Sequence, residues 1–358
     1  MTEFEVKKYF RRNPPHTLSG GPATTCAVVI PVYDELDYFE KTILSIRTAQ
    51  AAVPEPIAII AVINYPPGRS PEQSEKLFRQ IENGRYPDVA ALYLPELSGG
   101  VGAARKAGMD AFLSSLPPEK ISESIIFSLD ADTLIAENYF SRLIPLTLRH
   151  QLVCIGFSHQ KSSDPAGQHA IDRYEAYLLR YMNKLREANS PYAFTAIGSA
   201  FAVRGDLYLR SGGMKVRQAG EDFYFLQNAA KIVPPRQLDE VLVHPSARIS
   251  NRVPFGTGPA VAALLEGKTL NEIPDEPFAL LKNLLQNIEN DKLQTNVDEW
   301  LTGLPEQCSI FLKQEHFPEI WQNILKNLPR RPDAAIRAFH EWFDGLKTLR
   351  FLHFAMKQ

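Results

Sequence analysis

Five short runs almost free of charge recur between Ala27 and Phe157, and they constrain the fold more than any other feature. They are 27–32 (Ala-Val-Val-Ile-Pro-Val), 57–63, 89–94, 124–129 and 152–157. Continuous apolar runs of this length suit strands of a parallel sheet that is covered on both faces. The intervening segments carry apolar residues at helical spacing. Phe39, Ile43 and Ile46 precede the break at Pro54, and Ser70 with Pro71 at the first helical position opens a helix to Asn83-Gly84. Ser98 to Gly102 opens another helix through Arg105, Met109 and Phe112, and Ala136 to His150 reads as a fourth. Strand and helix in alternation predict an α/β fold: a Rossmann-like, mainly parallel sheet with helices on both faces.

Beyond a loop over 159–168, Ile171, Tyr174, Leu178, Tyr181 and Leu185 place an apolar stripe on one long helix. Ala193 to Val203 reads as β-like with an interruption at Gly198-Ser199, and Gly212-Gly213 closes a short helix. Glu221-Asp222 begins a helix through Phe225 and Ala229, and 238–243 is a last strand before a loop from His244 to Gly258. After Pro259 only helical patterns occur, broken by prolines. The expected organisation is an N-terminal arm over 1–24, an α/β domain over 25–258 and a C-terminal helical appendage over 259–358. The final aromatic stripe, from Ile336 through Phe343 to Phe354, reads as one helix packed on the α/β domain, with a peripheral membrane contact as the alternative.

The charge balance narrows the partners. A net charge of -2, with 22% charged residues and no dense basic block, disfavours nucleic acid and fits a small polar substrate. No run reaches the ~18 apolar residues of a membrane span, and the charged stretch Met1 to Asn13 lacks an apolar core. A soluble, cytoplasmic protein is expected. Cys26, Cys154 and Cys308 are far apart and odd in number, which predicts reduced core thiols.

The chemistry centres on Asp130-Ala131-Asp132, at the carboxyl end of the fourth run. Ligands of open parallel sheets bind at that edge, and two carboxylates there invite a hard cation, although such a pair alone is equally an ordinary turn. Its company is Pro31-Val32-Tyr33-Asp34-Glu35 after the first run, Gly99 to Gly108 with Arg105, and the later Glu221-Asp222. In this order the motifs resemble glycosyltransferase family 2, the inverting enzymes of GT-A fold (nucleotide-diphospho-sugar transferases), over residues 25 to 255.

The resemblance implies a metal-dependent transferase that moves a single sugar from a UDP- or GDP-linked donor to a small or lipid-linked hydroxyl acceptor. Mg²⁺ or Mn²⁺ on Asp132, with Asp130 near the ribose or sugar hydroxyls, would neutralise the diphosphate leaving group. His244 either supplies a third ligand, as in some relatives, or is held by a backbone carbonyl. Asp222 matches the family's catalytic base and Glu221 positions it or the acceptor. The helix dipole predicts an Asp222 ionised without a strongly raised pKa. Pro31, Tyr33, Glu35, Asn64, Gly102 and Arg105 are expected around the nucleotide, with the Gly99–Gly102 glycines allowing close backbone approach.

One departure concerns the second run, which ends in Asn64-Tyr65-Pro66 where many relatives carry acids, so the nucleobase stays open. Without a Gln-x-x-Arg-Trp sequence or a membrane span, a single transfer is expected rather than processive synthesis. Arg248 and Arg252 are expected either to close on the donor diphosphate or to grip an anionic acceptor, or else to pair with nearby acids. The alternatives are a sugar-phosphate nucleotidyltransferase, disfavoured by the acidic turn after the first run, and a non-catalytic binding module of the same fold. A dinucleotide fingerprint at Gly100-x-Gly102 fails because Arg105 takes its third glycine position.

Overall fold

The structure, a computed structural model, describes residues 1–18, 24–248, 256–329 and 331–357. The chain divides into two compact units, Met1–Glu175 with Phe194–Thr269, and Ala176–Ala193 with Leu270–Gln358.

The first unit is built on one sheet. Its strands are β1 (Cys26–Val32), β2 (Ile57–Asn64), β3 (Val89–Leu94), β4 (Ile125–Ser128), β5 (Leu134–Ile135), β6 (Leu152–Phe157), β7 (Phe201–Arg204) and β8 (Arg236–His244). They lie in the order β3-β2-β1-β4-β7-β6-β8-β5. The pairs β3/β2, β2/β1, β1/β4 and β6/β8 are parallel, whereas β7 runs antiparallel to both β4 and β6, and β5 antiparallel to β8. Ala27 and Val29 of β1 join a core with Ala104 and Phe112 of helix Gly100–Ser114. Val28 and Ile30, which alternate to the other face, are equally buried, so both faces are covered.

Several expectations shift here. Only Phe201–Arg204 of the β-like stretch 193–203 forms a strand, with Gly198-Ser199 outside it. The helix expected from Ala136 begins at Tyr139, because Leu134–Ile135 pairs with β8 first. Ser70 accepts from the Glu72 N–H, but Pro71 stands just before the helix Glu72–Glu82. The N-terminal arm contains a helix, Glu3–Arg12, started by a capping box between Thr2 and Glu5. Tyr9 from that helix and Tyr208 both donate to Oδ1 of the buried Asp110.

The second unit is helical among its described residues, with a core that includes Leu281, Trp300, Phe317, Trp321, Phe339, Phe343 and Phe351. The expected single terminal helix is two, Pro332–Trp342 and Gly345–Ala355, because Asp344 caps the second by accepting from the Lys347 N–H at 3.1 Å. Their aromatic residues pack within this unit's own core, which corrects the expected packing on the α/β domain. The three cysteines are buried and free. Among the described residues no helix is long and apolar enough to cross a membrane.

Candidate active site

β2, β1 and β4 are parallel and point the same way, which brings Asn64, Glu35 and Asp130-Ala131-Asp132 to one edge of the sheet. Chain order reverses between β1 and β4, and a crevice forms at such a switch point. β4 accompanies β1 only as far as Val29, paired with Ser128. Pro31, which has no N–H to donate, lies past that point with Val62 as its one partner. Asp34 takes a left-handed conformation (φ 58°) and turns the chain from β1 into helix Leu36–Gln50. Thr42 of that helix donates to the Ala131 carbonyl at 2.8 Å, and Ala131 is buried. With the middle residue fixed, the two acids reach different partners.

Asp130 reaches Arg105. The guanidinium is buried and contacts Asp130 Oδ1 at 2.5 Å, Glu221 Oε1 at 3.0 Å and Ser128 Oγ at 2.8 Å. Ser128 in turn donates to the Gly198 carbonyl at 2.7 Å. A Cβ on Gly198 would lie 2.5 Å from Arg105 Nη2, so the Gly198-Ser199 interruption is the gap through which this arginine passes. Burial opposes the Arg105 charge, but Asp130, Glu221 and Asp222 outweigh it and raise its pKa. Arg105, expected around the nucleotide, has its guanidinium taken up inside the protein, where it ties the first acid of one motif to the second motif.

Glu221 and Asp222 open helix Glu221–Ala230 behind Gly220, a left-handed residue at the cap position (φ 71°). Burial raises the pKa of Glu221, against the nearby Arg105. Asp222 accepts from the Phe223 N–H at 2.7 Å. Burial first, and then the adjacent Glu221 charge, push Asp222 up to about 7, overriding its position at a helix start. Burial and the Glu221 charge thus act against the helix start that was expected to keep this base unraised.

Asp132 reaches Arg248. Arg248 Nη2 is 2.8 Å from Asp132 Oδ2 and also pairs with Glu35 Oε1, while its guanidinium stacks 4.3 Å from the Tyr38 ring centre. His244 ends β8 opposite Leu134. Its Nδ1 lies 3.1 Å from the Ser158 carbonyl, an atom that only accepts, so Nδ1 carries the proton and Nε2 is the basic nitrogen. The Gln160 amide donates to the carbonyls of both Asp132 (2.8 Å) and His244 (2.9 Å), which fixes the two segments side by side. Neither Gln160, Ser128 nor Tyr38 carries a motif; Ser128 alone had a signal, as a polar residue directly before the acids.

Asp132 and His244 are of the residue types that could hold Mg²⁺ or Mn²⁺, ions that fill remaining positions with water or substrate oxygens, and their backbones lie side by side through Gln160. Among the described residues no three His, Cys, Asp or Glu side chains converge as a ready cage. Gly102 differs from expectation: a Cβ there would lie 2.4 Å from the Lys215 carbonyl, so the close approach it permits is by the protein's own segment 215–217. Tyr33 is half-buried beyond β1, and Asn64 is buried with its carbonyl bonded by Ser74 Oγ. Arg252 lies outside the described residues.

A mixed α/β sheet with acids from several strand ends at its switch point is the layout of a GT-A glycosyltransferase. Residues 27–208, just over half the chain, match the profile of glycosyl transferase family 2. The chain belongs to that family, and it is a nucleotide-sugar glycosyltransferase. No curated protein matches the sequence. Among solved structures, it is similar to S. aureus TarS in complex with UDP-GlcNAc (13% identity, 89% of this chain and 91% of that one, TM-score 0.44). Another is the mannosyltransferase PcManGT from Pyrobaculum calidifontis in complex with GDP-Man and Mn²⁺ (13%, 95% and 94%, 0.43). A third is glucosyl-3-phosphoglycerate synthase from Mycobacterium tuberculosis with Mn²⁺, UDP-Glc and phosphoglyceric acid (15%, 76% and 86%, 0.40).

Proposed function

We propose that this enzyme is an inverting, metal-dependent transferase that moves one sugar from a nucleotide-diphosphate donor to a hydroxyl acceptor. The observation that carries the reading is the chain Asp130–Arg105–Glu221, with Asp222 next in sequence. It supports the reading because inversion needs a base and a donor-binding acid in fixed register on opposite sides of one reacting carbon.

Asp222 takes the proton of the acceptor hydroxyl as its oxygen bonds to the anomeric carbon. The bond from that carbon to the diphosphate breaks on the other face, and the nucleoside diphosphate leaves with the electron pair. Arg105 and Glu221 touch neither reactant; they hold Asp130 and Asp222 in place. Asp132 and His244 are the residues that would hold Mg²⁺ or Mn²⁺. When bound, such an ion supplies Lewis-acid stabilisation of the leaving diphosphate.

Thermal shift with UDP-, GDP- and dTDP-sugars, each with and without Mn²⁺, tests the reading and identifies the base. Stabilisation by one nucleotide that requires Mn²⁺ and is lost in Asp132→Ala is the expected result. A protein stabilised by none of them is not such an enzyme.

A further inference from the structure

Ser158 and Gln160 hold His244 and Asp132 from one side of an extended segment, and the residue between them faces the other way. The chain continues past β6 beside the end of β8: the Ser158 N–H donates to the Val243 carbonyl at 3.0 Å, and the Gln160 N–H to the Pro245 carbonyl at 2.8 Å. Backbone groups alternate in direction along extended chain, so the His159 N–H points to the β7 side of the sheet. β7 no longer accompanies the chain there. Its ladder with β6 stops at Cys154, opposite Phe201, and the Ala200 carbonyl then takes the Ile155 N–H at 2.9 Å.

A side chain does what the strand does not. Glu175, on the helix Pro165–Glu187, presents Oε1 to both the His159 N–H and the His159 ring, whose Nδ1 lies 2.7 Å away. A carboxylate only accepts, so this Nδ1 carries the proton. The two side chains are 2% and 16% exposed, and the edge of Phe157 meets the His159 ring with centroids 5.8 Å apart. A main-chain N–H at that depth needs an acceptor, and the carboxylate stands in for a strand carbonyl.

We infer that Glu175 is a positioning residue for the candidate metal ligands, an inference that rests on the metal-dependent reading above. Acting through His159, it keeps 158–160 extended, which holds the Ser158 carbonyl on His244 Nδ1 and the Gln160 amide on the carbonyls of Asp132 and His244. Glu175 itself touches neither ligand. Its effect is on the proton of His244: while the Ser158 carbonyl accepts from Nδ1, Nε2 keeps a lone pair for an ion. If the segment turns, Nδ1 loses its acceptor, and the ring is free to rotate and to carry its proton on either nitrogen.

Two measurements on the full chain test this. Long-range ¹H–¹⁵N NMR at pH 8 reads the His244 tautomer without metal, and isothermal titration with Mn²⁺, with and without UDP or GDP, gives the Kd. The wild type should show His244 in the Nδ1–H form. Glu175→Leu should lose that fixed form and bind Mn²⁺ about tenfold more weakly, the low end for a group that supports a metal ligand without touching the metal. His159→Phe keeps a ring against Phe157, the main-chain bond and the Glu175 charge, so it should fold even where Glu175→Leu does not. With one of the two bonds removed, it should weaken Mn²⁺ about threefold, half of the first effect in free energy. Unchanged Mn²⁺ affinity in His159→Phe, or an unchanged His244 tautomer in Glu175→Leu, overturns the positioning role, since any loss in Glu175→Leu would then be that of a distant charge; the metal-dependent reading survives. A wild type that binds no Mn²⁺ under either condition overturns both.

Discussion

Asp130 and Asp132 are one residue apart, and each is clamped by an arginine to an acid far away in sequence, but the two clamps are built differently. Arg105 stands on helix Gly100–Ser114, whose Gly108 lets it lie directly on Val29 and Val62 of the sheet. Its side chain is 3% exposed, and its hydrogen bonds to Ser128, Asp130 and Glu221 leave it no freedom to turn outward. Arg248 stands beyond the last strand, 20% exposed, with a stacking contact in place of a third acceptor. A buried pair is costly to make and costlier to break by removing one partner, and the penalty falls as solvent gains access to the pair. The difference teaches that one clamp is fixed on several sides within the core, while the other sits nearer solvent.

The comparison breaks most sharply at Arg105. Arg105→Met leaves Glu221, Asp130 and Asp222 without their shared cation, and we expect a loss of about 3–5 kcal/mol in urea unfolding. Transfer activity should collapse with it, since the positions of Asp130 and Asp222 both depend on that guanidinium. Arg248→Met, at a shallower site where solvent can reach the two acids it leaves behind, should cost less, about 1–3 kcal/mol. Equal destabilisation by the two substitutions would erase the distinction between the deep clamp and the shallower one.

A second test uses Asp222, which shares the buried end of the site. As a base it must be ionised, and its value near 7 places the acid limb of kcat near neutrality, with activity full above about 7 and falling roughly tenfold per unit below it. The same shift makes a statement about stability. In the unfolded chain this carboxyl titrates near 3.8, so between about 4 and 7 the folded state holds a proton that the unfolded state has lost. Stability from this group therefore declines as pH rises through that window. Asp222→Asn should abolish turnover while melting a few degrees higher than wild type at pH 8, and the advantage should vanish at pH 4. An acid limb near pH 4 instead would mean that the charge is stabilised after all, and that burial does not govern this residue.

Much of this was legible in the sequence because the strands are uninterrupted apolar runs and the acids sit where those runs end. β1, β2, β3 and β6 fall within a residue or so of their expected bounds. What was not legible depends on pairing across long separations. Nothing local says that 201–204 should run antiparallel between β4 and β6, or that Leu134–Ile135 should find β8 before the next helix starts. The same limit applies in the site. An arginine three residues past a glycine-rich turn looks solvated or phosphate-bound until two acids from elsewhere close on it. Gln160 carries no pattern at all, since its role comes from two carbonyls, 28 and 84 residues away, meeting in space. Asp222 shows the limit in energetic terms: a helix start is visible in sequence, whereas the desolvation that outweighs it is a property of the packed neighbourhood.

The smallest test asks how rigid the deep clamp is. Gly198→Ala adds one methyl group, and its backbone is not in the left-handed region, so no conformational strain accompanies the change. The methyl would meet Arg105 Nη2 at 2.5 Å and its Cζ at 3.1 Å. A flexible guanidinium would swing aside at little cost. Arg105 has no such latitude, because any rotation that clears Gly198 also stretches its bonds to Asp130, Ser128 or Glu221. We therefore expect a loss of about 1–3 kcal/mol, typical of overpacking in a full core, and a drop in kcat/KM for the donor, since Asp130 and Asp222 shift with Arg105. A Gly198→Ala protein as stable and as active as the wild type would show that Arg105 can relax, and that the two arginines differ in depth but not in kind.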